Sequence, residues 1–441
     1  MKSSMPKVLQ PICGREMVGL VADALRDAGL HDLVAIVPPN SPDVCGVVGR
    51  YATLVEQAEP LGTGHALLQA KALLGSYRGN ILVINGDVPL VTSLTISAMT
   101  RHHESTQGCL TLLTSTGGPV RGLGRVVRGE KGDVVAIVEE AEMREKEAST
   151  PEINVGVYCF RSPWLWSALE ELSPSSKGEV YITGLVALAT AQGHEVSSLT
   201  LEDPGEGLGV NDGVQLATAR EVMQRRVNRG WLLRGVTIME PAFIDMGVEL
   251  EPDTVIYPNT FLRGKTRIGR TCHIGPGSIV ADSVIADRCR VLSSVIEGAV
   301  LEEGVDVGPY SHIRPESYIE REVHIGNFSE VKKSRLGRGT KVGHFSYVGD
   351  AWVGPEVNIG AGTVTCNFDG VNKNETIIEE GAFIGSDSML VAPVRVGAGA
   401  ITGAGSVVNR DVPAGATVVG APARVVSTGG LQKRESDVQD P

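Results

Sequence analysis

An aliphatic residue returns at every sixth position through the second half of this sequence, and few folds can accommodate that beat. The series opens with Leu250, Ile256, Leu262, Ile268, Ile274 and Val280 and, after a one-residue slip, resumes at Ile285 and Val291. It runs on through Val307, Ile313, Ile319, Ile325 and Val331, and closes with Ile378, Ile384, Leu390, Val396, Thr402 and Val408. A period of six fits neither the repeat of a helix, about 3.6, nor that of a half-exposed strand, about 2. It predicts a parallel β-helix, in which each repeat supplies a short strand and a corner, and three repeats close a triangular coil. Residues 250 to 408 then hold roughly nine coils. Gly often follows the aliphatic residue, as in Ile325-Gly326 and Ile384-Gly385, and is expected to supply the corner dihedrals that a Cβ resists.

A chain of 441 residues exceeds one ordinary core, so two domains are expected. The net charge of −12 argues against general nucleic-acid binding and against anchoring to an anionic membrane. Against it stands a local basic cluster, Lys332, Lys333, Arg335, Arg338 and Lys341, readable as a solvated face or as an anion site. The seven Cys form no C-x-x-C pair, which disfavours a metal finger or a disulfide framework. Free thiols, the absence of a signal peptide and the lack of a long apolar run point to a cytoplasmic, soluble chain.

Residues 1–210 alternate apolar runs with amphipathic stretches. Strands are expected at Leu33–Val37, Thr53–Glu56, Asn80–Asn85, Cys109–Thr114, Val134–Glu139, Asn154–Phe160 and Val196–Leu201. Helices are expected at Met17–Ala28, Thr63–Leu74, Trp164–Glu171 and Thr183–Ala191. This predicts an α/β domain with a mostly parallel sheet, whose ligands sit at the carboxyl ends of the strands. Asn85-Gly86-Asp87-Val88-Pro89 follows an apolar run, where a carboxylate serves a Mg²⁺–phosphate site or simply a turn. Gly62-Thr63-Gly64 opens a helix whose backbone N–H groups could cradle an anion or a base. Lys7 could reach a phosphate, or be a plain surface charge.

The order of these features, with Pro-Lys-Val-Leu at 6–9, Gln-Ala-Glu-x-Leu-Gly-Thr-Gly-His-Ala at 57–66, Gly-Asp-Val-Pro-Leu at 86–90, Glu-Ile-Asn-x-Gly at 152–156 and Gly-Val-Asn at 209–211, resembles one family over roughly residues 1–425. It is the bifunctional N-acetylglucosamine-1-phosphate uridyltransferase / glucosamine-1-phosphate acetyltransferases. The resemblance implies a nucleotidyltransferase (Rossmann-like) domain at 1–211, a linker helix at 212–233, a left-handed β-helix acetyltransferase domain at 234–426, and a disordered tail at 427–441. It implies that a sugar 1-phosphate attacks the α-phosphorus of UTP, with Asp87 and Asn211 holding Mg²⁺ and Lys7 facing phosphate oxygens. Gln57, Gly62 and Thr63 would contact the uracil. Gly124, Glu139 and Asn154 would bind the sugar, with Asn85 and Gly86 beside it. Asn85 replaces a common Tyr, and Gly184 stands where the family usually carries Asp.

Members of the family open with an apolar strand and a loop of the type Leu-Ala-Ala-Gly-x-Gly-Thr-Arg-Met, and Met1 falls where the final Met of that loop would stand. The expectation is a start codon further upstream, with genuine loss of the first activity as the alternative. The sequence as it stands is expected to be a poor uridyltransferase, since the loop's N–H groups receive phosphates.

The β-helix carries its own constellation. Eighteen residues make a coil, so Arg314 and Lys332 are expected to stack about 5 Å apart, a repulsive arrangement unless an anion lies near. His344 suits a general base that takes a proton from an amine attacking a thioester, although a lone His is more often structural. In the family's pattern His344 is that base and Glu330 orients the catalytic residues. Arg314, Lys332, Tyr347, Asn358 and Lys373 hold the sugar phosphate there. Ala361, Asn367, Phe368, Ser386, Ala404 and Arg424 meet acetyl-coenzyme A, with Phe368 replacing the usual Tyr and Glu375 a frequent Lys. The beat breaks between Thr365 and Ile378, which marks an outward loop. The resemblance also implies a homotrimer with acetyl-transfer sites between subunits. Competing readings are an acetyltransferase alone, a monofunctional nucleotidyltransferase that uses the β-helix for assembly, and a non-enzymatic sugar-nucleotide sensor.

Overall fold

The computed structural model describes residues 1–117, 122–143, 150–175 and 177–428. It divides into two compact units, Met1–Met223 and Gln224–Pro441.

The second unit is the β-helix. Its short strands form three parallel sheets, the faces of a prism. The first face runs from Thr237–Ile238 to Thr417–Val419, the second from Ala242–Ile244 to Val407–Val408, and the third from Glu249–Leu250 to Val394–Val396. Most strands turn an aliphatic side chain inward, and Thr365 and Thr402 take that place in two of them. Ile256, Leu262, Ile274, Val280, Ile313, Ile325, Val331, Ile378 and Ile384 are fully buried in a single continuous core. Burial of one such side chain contributes about 1.5–3 kcal/mol, so the stack fixes the register. Coil length nevertheless varies: Ile268 pairs with Ile285, Ile285 with Leu301, and Ile313 with Val331.

Some glycines after the aliphatic residues supply the expected dihedrals, Gly275 with φ of 100° and Gly308 with φ of 113°, and others serve a different purpose. A Cβ on Gly326 would lie 1.9 Å from the Gly343 carbonyl oxygen, and one on Gly385 would lie 2.4 Å from that of Thr402. These glycines let one coil rest on the next. Other left-handed dihedrals fall later in the corner, where Asn259, Tyr310, Phe328 and Asp350 all adopt positive φ.

The break in the beat is an ordered hairpin. After the strand Val364–Cys366 the chain turns out and back, closed by a bridge between Phe368 and Lys373. Asp369 holds the turn by accepting from the N–H groups of Asn372 (2.7 Å) and Val371 (2.8 Å) and from Asn374 Nδ2 (3.0 Å). Those donors, Asn372 first, hold its carboxyl below the usual carboxylate range. At the other end of the prism, Val227 and Trp231 of helix Gly213–Leu232 pack on the core, and Asn228 Nδ2 donates to the Ala242 carbonyl (3.2 Å). This covers a coil end that would otherwise be open. Ser427 closes the strand Arg424–Ser427, paired antiparallel with Thr417–Val419, so it belongs to the sheet rather than to a tail. Residues 429–441 lie outside the described ones.

The first unit is an α/β domain, but its six-stranded sheet is mixed rather than mostly parallel. Strand Ile153–Arg161 runs antiparallel to Asn80–Ile84 on one side and to Leu110–Ser115 on the other. In this sheet, Leu110–Ser115 and Val196–Thr200 make a parallel pair. A parallel return needs a crossover long enough to recross the sheet. The described residues between Ser115 and Ile153 hold instead the hairpin Arg125–Arg128/Val134–Val138 and one 3₁₀ turn, so the chain comes back antiparallel. The expected helix Thr63–Leu74 is two pieces, Thr63–Gln69 and Lys71–Leu74. Helices Pro42–Val48 and Ser93–Ser105 are additional: the first is too short to show a periodic stripe, and the second carries few apolar residues. No described helix is long and apolar enough to cross a membrane.

Candidate active sites

In the first unit the residues singled out from sequence fall into three linked groups. Asp87 lies just past strand Asn80–Ile84. Lys7 Nζ donates to Asp87 Oδ2 at 2.6 Å and to Asn211 Oδ1 at 3.0 Å, and Val210 N donates to the Asp87 carbonyl at 2.9 Å. Two oxygens from distant parts of the chain thus converge on one cationic centre. Few protein ligands, all hard oxygens, is the donor set from which Mg²⁺ is held together with water and phosphate, so the residues fit that ion.

The second group surrounds the Gly62 turn. Gly62 has φ of 103°, and a Cβ there would come within 2.4 Å of the Val180 carbonyl oxygen. Gly64 N donates to that same oxygen at 2.8 Å, and Thr63 Oγ1 accepts from Ile182 N at 3.0 Å. Segment 179–183 is therefore laid along the glycine turn. Gln57 Nε2 reaches back to the Gly62 carbonyl at 3.2 Å.

The third group holds Gly124, Glu139, Asn154 and Asn85. The Gly124 carbonyl accepts from Asn154 N (3.0 Å), and Asn85 N donates to the Gly156 carbonyl (3.2 Å). Glu139 Oε1 accepts from Thr183 Oγ1 (2.8 Å), a residue the sequence reading passed over. Asn154 Nδ2 donates to the Tyr158 hydroxyl (2.6 Å), which is buried. Gly86 lies between Asn85 and Asp87, and a Cβ on it would meet Val8 at 3.6 Å.

In the second unit the second face of the prism collects most of the remaining candidates. Its strands present two outward positions each. Reading coil by coil, His312 lies beside Glu330, and Glu330 beside Tyr347. The same registers set Lys332 between Arg314 and Gly349, where the Arg314 N–H donates to the Val331 carbonyl at 2.8 Å. Arg314 Nη1 donates to Glu330 Oε1 at 2.7 Å. Lys373, carried by the hairpin, comes against Lys332. Lys373 first, and Arg314 behind it, push the Lys332 ammonium below the ordinary lysine range. Three cations therefore converge on one stretch of this face, a costly arrangement that an anion relieves. Asp350, at the adjoining corner, accepts from Asn367 Nδ2 and partly offsets the repulsion at Lys332. It was missed because the coil from Lys332 to Gly349 is one residue short of eighteen.

His344 sits at the corner leading into this face. Strand registers make Ala361, Ser386 and Ala404 its equivalents in the next three coils, so all four share one edge of the prism. The hairpin with Asn367, Phe368 and Lys373 flanks the opposite edge. His344 is exposed, and its imidazole has no hydrogen-bond partner among the described residues. Glu330 orients Arg314 and makes no bond to His344 among those residues. Two candidates face elsewhere. Asn358 points out from the first face beside Lys341, and Arg424 lies on the last strand of that face. The basic cluster is dispersed as well. Arg335 pairs with Glu320 (2.6 Å) and lies over the Tyr318 ring on the third face, Arg338 pairs with Glu356 (3.3 Å), and Lys341 belongs to the first face.

Gly349 has a specific task. A Cβ there would stand 2.3 Å from the Tyr347 hydroxyl, because the phenol folds across this glycine toward Asn367. For the acetyl transfer that the sequence resemblance implies, Gly349→Ala is expected to lower kcat/KM about tenfold by displacing Tyr347 and to leave the melting temperature nearly unchanged. A thiol-release assay beside a thermal melt checks this, and an unaltered kcat/KM contradicts it.

Comparison with known proteins identifies the family. A nucleotidyl transferase family model matches residues 2–231, and a bacterial transferase hexapeptide (six repeats) model matches residues 375–410. The bifunctional protein GlmU of Heliobacterium modesticaldum is 43% identical over 422 residues, 95% of this chain and 92% of the relative. That of Brevibacillus brevis is 42% identical over the same shares, and that of Streptococcus equi subsp. zooepidemicus is 42% identical over 97% and 94%. With a nucleotidyltransferase α/β unit, a hexapeptide β-helix and relatives aligned over nearly its full length, the chain belongs to the GlmU family of bifunctional uridyltransferase/acetyltransferases of UDP-N-acetylglucosamine biosynthesis.

Proposed function

We propose that acetyl transfer takes place over the second face of the prism, where Arg314, Lys332 and Lys373 receive the phosphate of glucosamine 1-phosphate. The convergence of these three cations carries the reading: Glu330 and Asp350 offset only part of their repulsion, and a bound dianion offsets the rest. With the phosphate held there, the sugar amine is directed toward the edge bearing His344. The amine nitrogen attacks the thioester carbonyl of acetyl-coenzyme A, the amine proton passes to the imidazole, the C–S bond breaks, and the imidazolium returns that proton to the departing thiolate, so coenzyme A leaves as the thiol. Ala361, Ser386 and Ala404 continue that edge and form a small-residue track along which an extended thioester arm can lie. Tyr347 bounds the sugar, and Asn367 on the hairpin faces acetyl-coenzyme A.

Asn358 and Arg424 look out from the first face. They complete this site most simply if a second copy presents its first face to the second face of its neighbour, as in a homotrimer. Mixing tests this. A Lys332→Met chain and an Asn358→Ala chain, each impaired alone, should regain activity when co-assembled, because roughly a quarter of randomly mixed interfaces carry both intact contributions. Activity equal to the sum of the two impaired parents would refute a shared site.

In the first unit, Asp87 and Asn211 would hold Mg²⁺, which when bound offsets charge on the triphosphate. Lys7 contributes a second cation at that point. The Gly62 turn, with Gln57 and Thr63, presents backbone and amide groups to the uracil. Gly124, Glu139, Asn154 and Asn85 form the sugar cradle. The sugar 1-phosphate oxygen attacks the α-phosphorus of UTP, and pyrophosphate leaves.

A further inference from the structure

The second face holds a hydrogen bond between His312 and Glu297 that the site described so far leaves unused. His312 lies one coil below Glu330, and its Nε2 donates to Glu297 Oε2 at 2.9 Å. Glu297 follows Val295 and Ile296, which pair with His312 and Ile313. Its own register position is therefore the one beneath Arg314, one strand spacing away, about 4.8 Å. The outward side chains form a grid of two columns: Glu297, Arg314 and Lys332 in one, His312 and Glu330 in the other. Both hydrogen bonds run diagonally. Arg314 reaches up to Glu330, and His312 reaches down to Glu297. All four side chains are about two-fifths exposed, so none is locked by burial and each is free to choose its partner.

Arg314 is thus flanked by two carboxylates and bonds to one of them. A guanidinium has five N–H donors, and one that saturates two carboxylates has little left for a phosphate. Glu297 adds to the field that holds Arg314 charged, after Glu330 and Tyr347. It is therefore near enough to compete.

We infer that His312 is a positioning residue for the acetyl-transfer site: by engaging Glu297 it keeps that carboxylate off Arg314 and leaves the guanidinium open to the substrate phosphate. His312 does not touch substrate in this account. It sets the availability of the cation that does. The inference rests on the reading of Arg314 as a phosphate ligand.

The test uses the full chain, saturating acetyl-coenzyme A and varied glucosamine 1-phosphate, with thiol release as readout. His312→Ala should raise KM for the sugar phosphate about five- to tenfold with kcat little changed, the signature of lost binding that is uniform along the reaction. His312→Gln, which keeps an N–H donor, should retain most of the affinity. Glu297→Gln placed in the His312→Ala background should restore KM, since a neutral amide no longer seeks the guanidinium. Failure of that restoration, or an unchanged KM in His312→Ala while Arg314→Met raises it, overturns the inference and leaves the phosphate reading standing. An unchanged KM in Arg314→Met overturns the phosphate reading itself. If His312→Ala does not fold, Glu297→Gln alone decides: KM at or below that of the unaltered chain supports the inference, and a raised KM refutes it.

Discussion

Replacing His344 by alanine is expected to cut acetyl transfer about 10²–10⁴-fold, the usual contribution of a positioned general base, and to leave uridylyl transfer untouched. The imidazole is exposed and makes no hydrogen bond within the described chain, so no fold-stabilising contact is lost with it. Its neighbours on the same edge are small residues in the next three coils, Ala361, Ser386 and Ala404. They offer no other base. Thiol release with acetyl-coenzyme A and glucosamine 1-phosphate measures the loss, and pyrophosphate release on the same sample gives the internal control. Turnover retained near neutral pH would remove His344 from proton transfer. Equal loss of both activities would point to misfolding instead.

Asp87→Ala should produce the converse. Uridylyl transfer is expected to fall about 10²–10³-fold, the cost of several kcal/mol of charge stabilisation, with acetyl transfer unchanged. Asp87 and Asn211 share the Lys7 ammonium at 2.6 and 3.0 Å. Removing the carboxylate therefore weakens Mg²⁺ binding and also frees Lys7, which is then held only by the amide. Raising Mg²⁺ should recover part of the activity, because Asn211 and the phosphates remain as ligands. A Mg²⁺ titration of pyrophosphate release with Asp87→Ala and Asn211→Ala checks this, and activity in Asp87→Ala equal to that of the unaltered chain excludes the carboxylate from the site.

The amino-acid sequence determined by itself that residues from about 250 onward stack into a β-helix. A prism core needs one aliphatic side chain per strand, and that requirement is written directly as a six-residue period. The same count set Arg314 against Lys332, because Ile313 and Val331 are buried partners one coil apart. It failed one coil later, where a shorter corner brings Gly349 rather than the next residue above Lys332. Corner length follows from how coils rest on one another, a contact between residues far apart in the chain. The run from Lys332 to Lys341 looked like one basic patch, yet a coil turns through three faces over that distance, and its members part company. Asn358 left the face of Tyr347 for the same reason.

In the first unit the strands were visible as apolar runs but their directions were not. Whether a strand returns parallel depends on what crosses the sheet between Ser115 and Ile153, and a hairpin there leaves no crossover helix among the described residues. The pairing of Lys7 with Asp87 and Asn211, and of His312 with Glu297, was likewise decided by the tertiary structure alone. Periodicity records what a side chain must do for its own strand. Which charges come to share one small volume depends on how strands are laid together, and no local pattern encodes that.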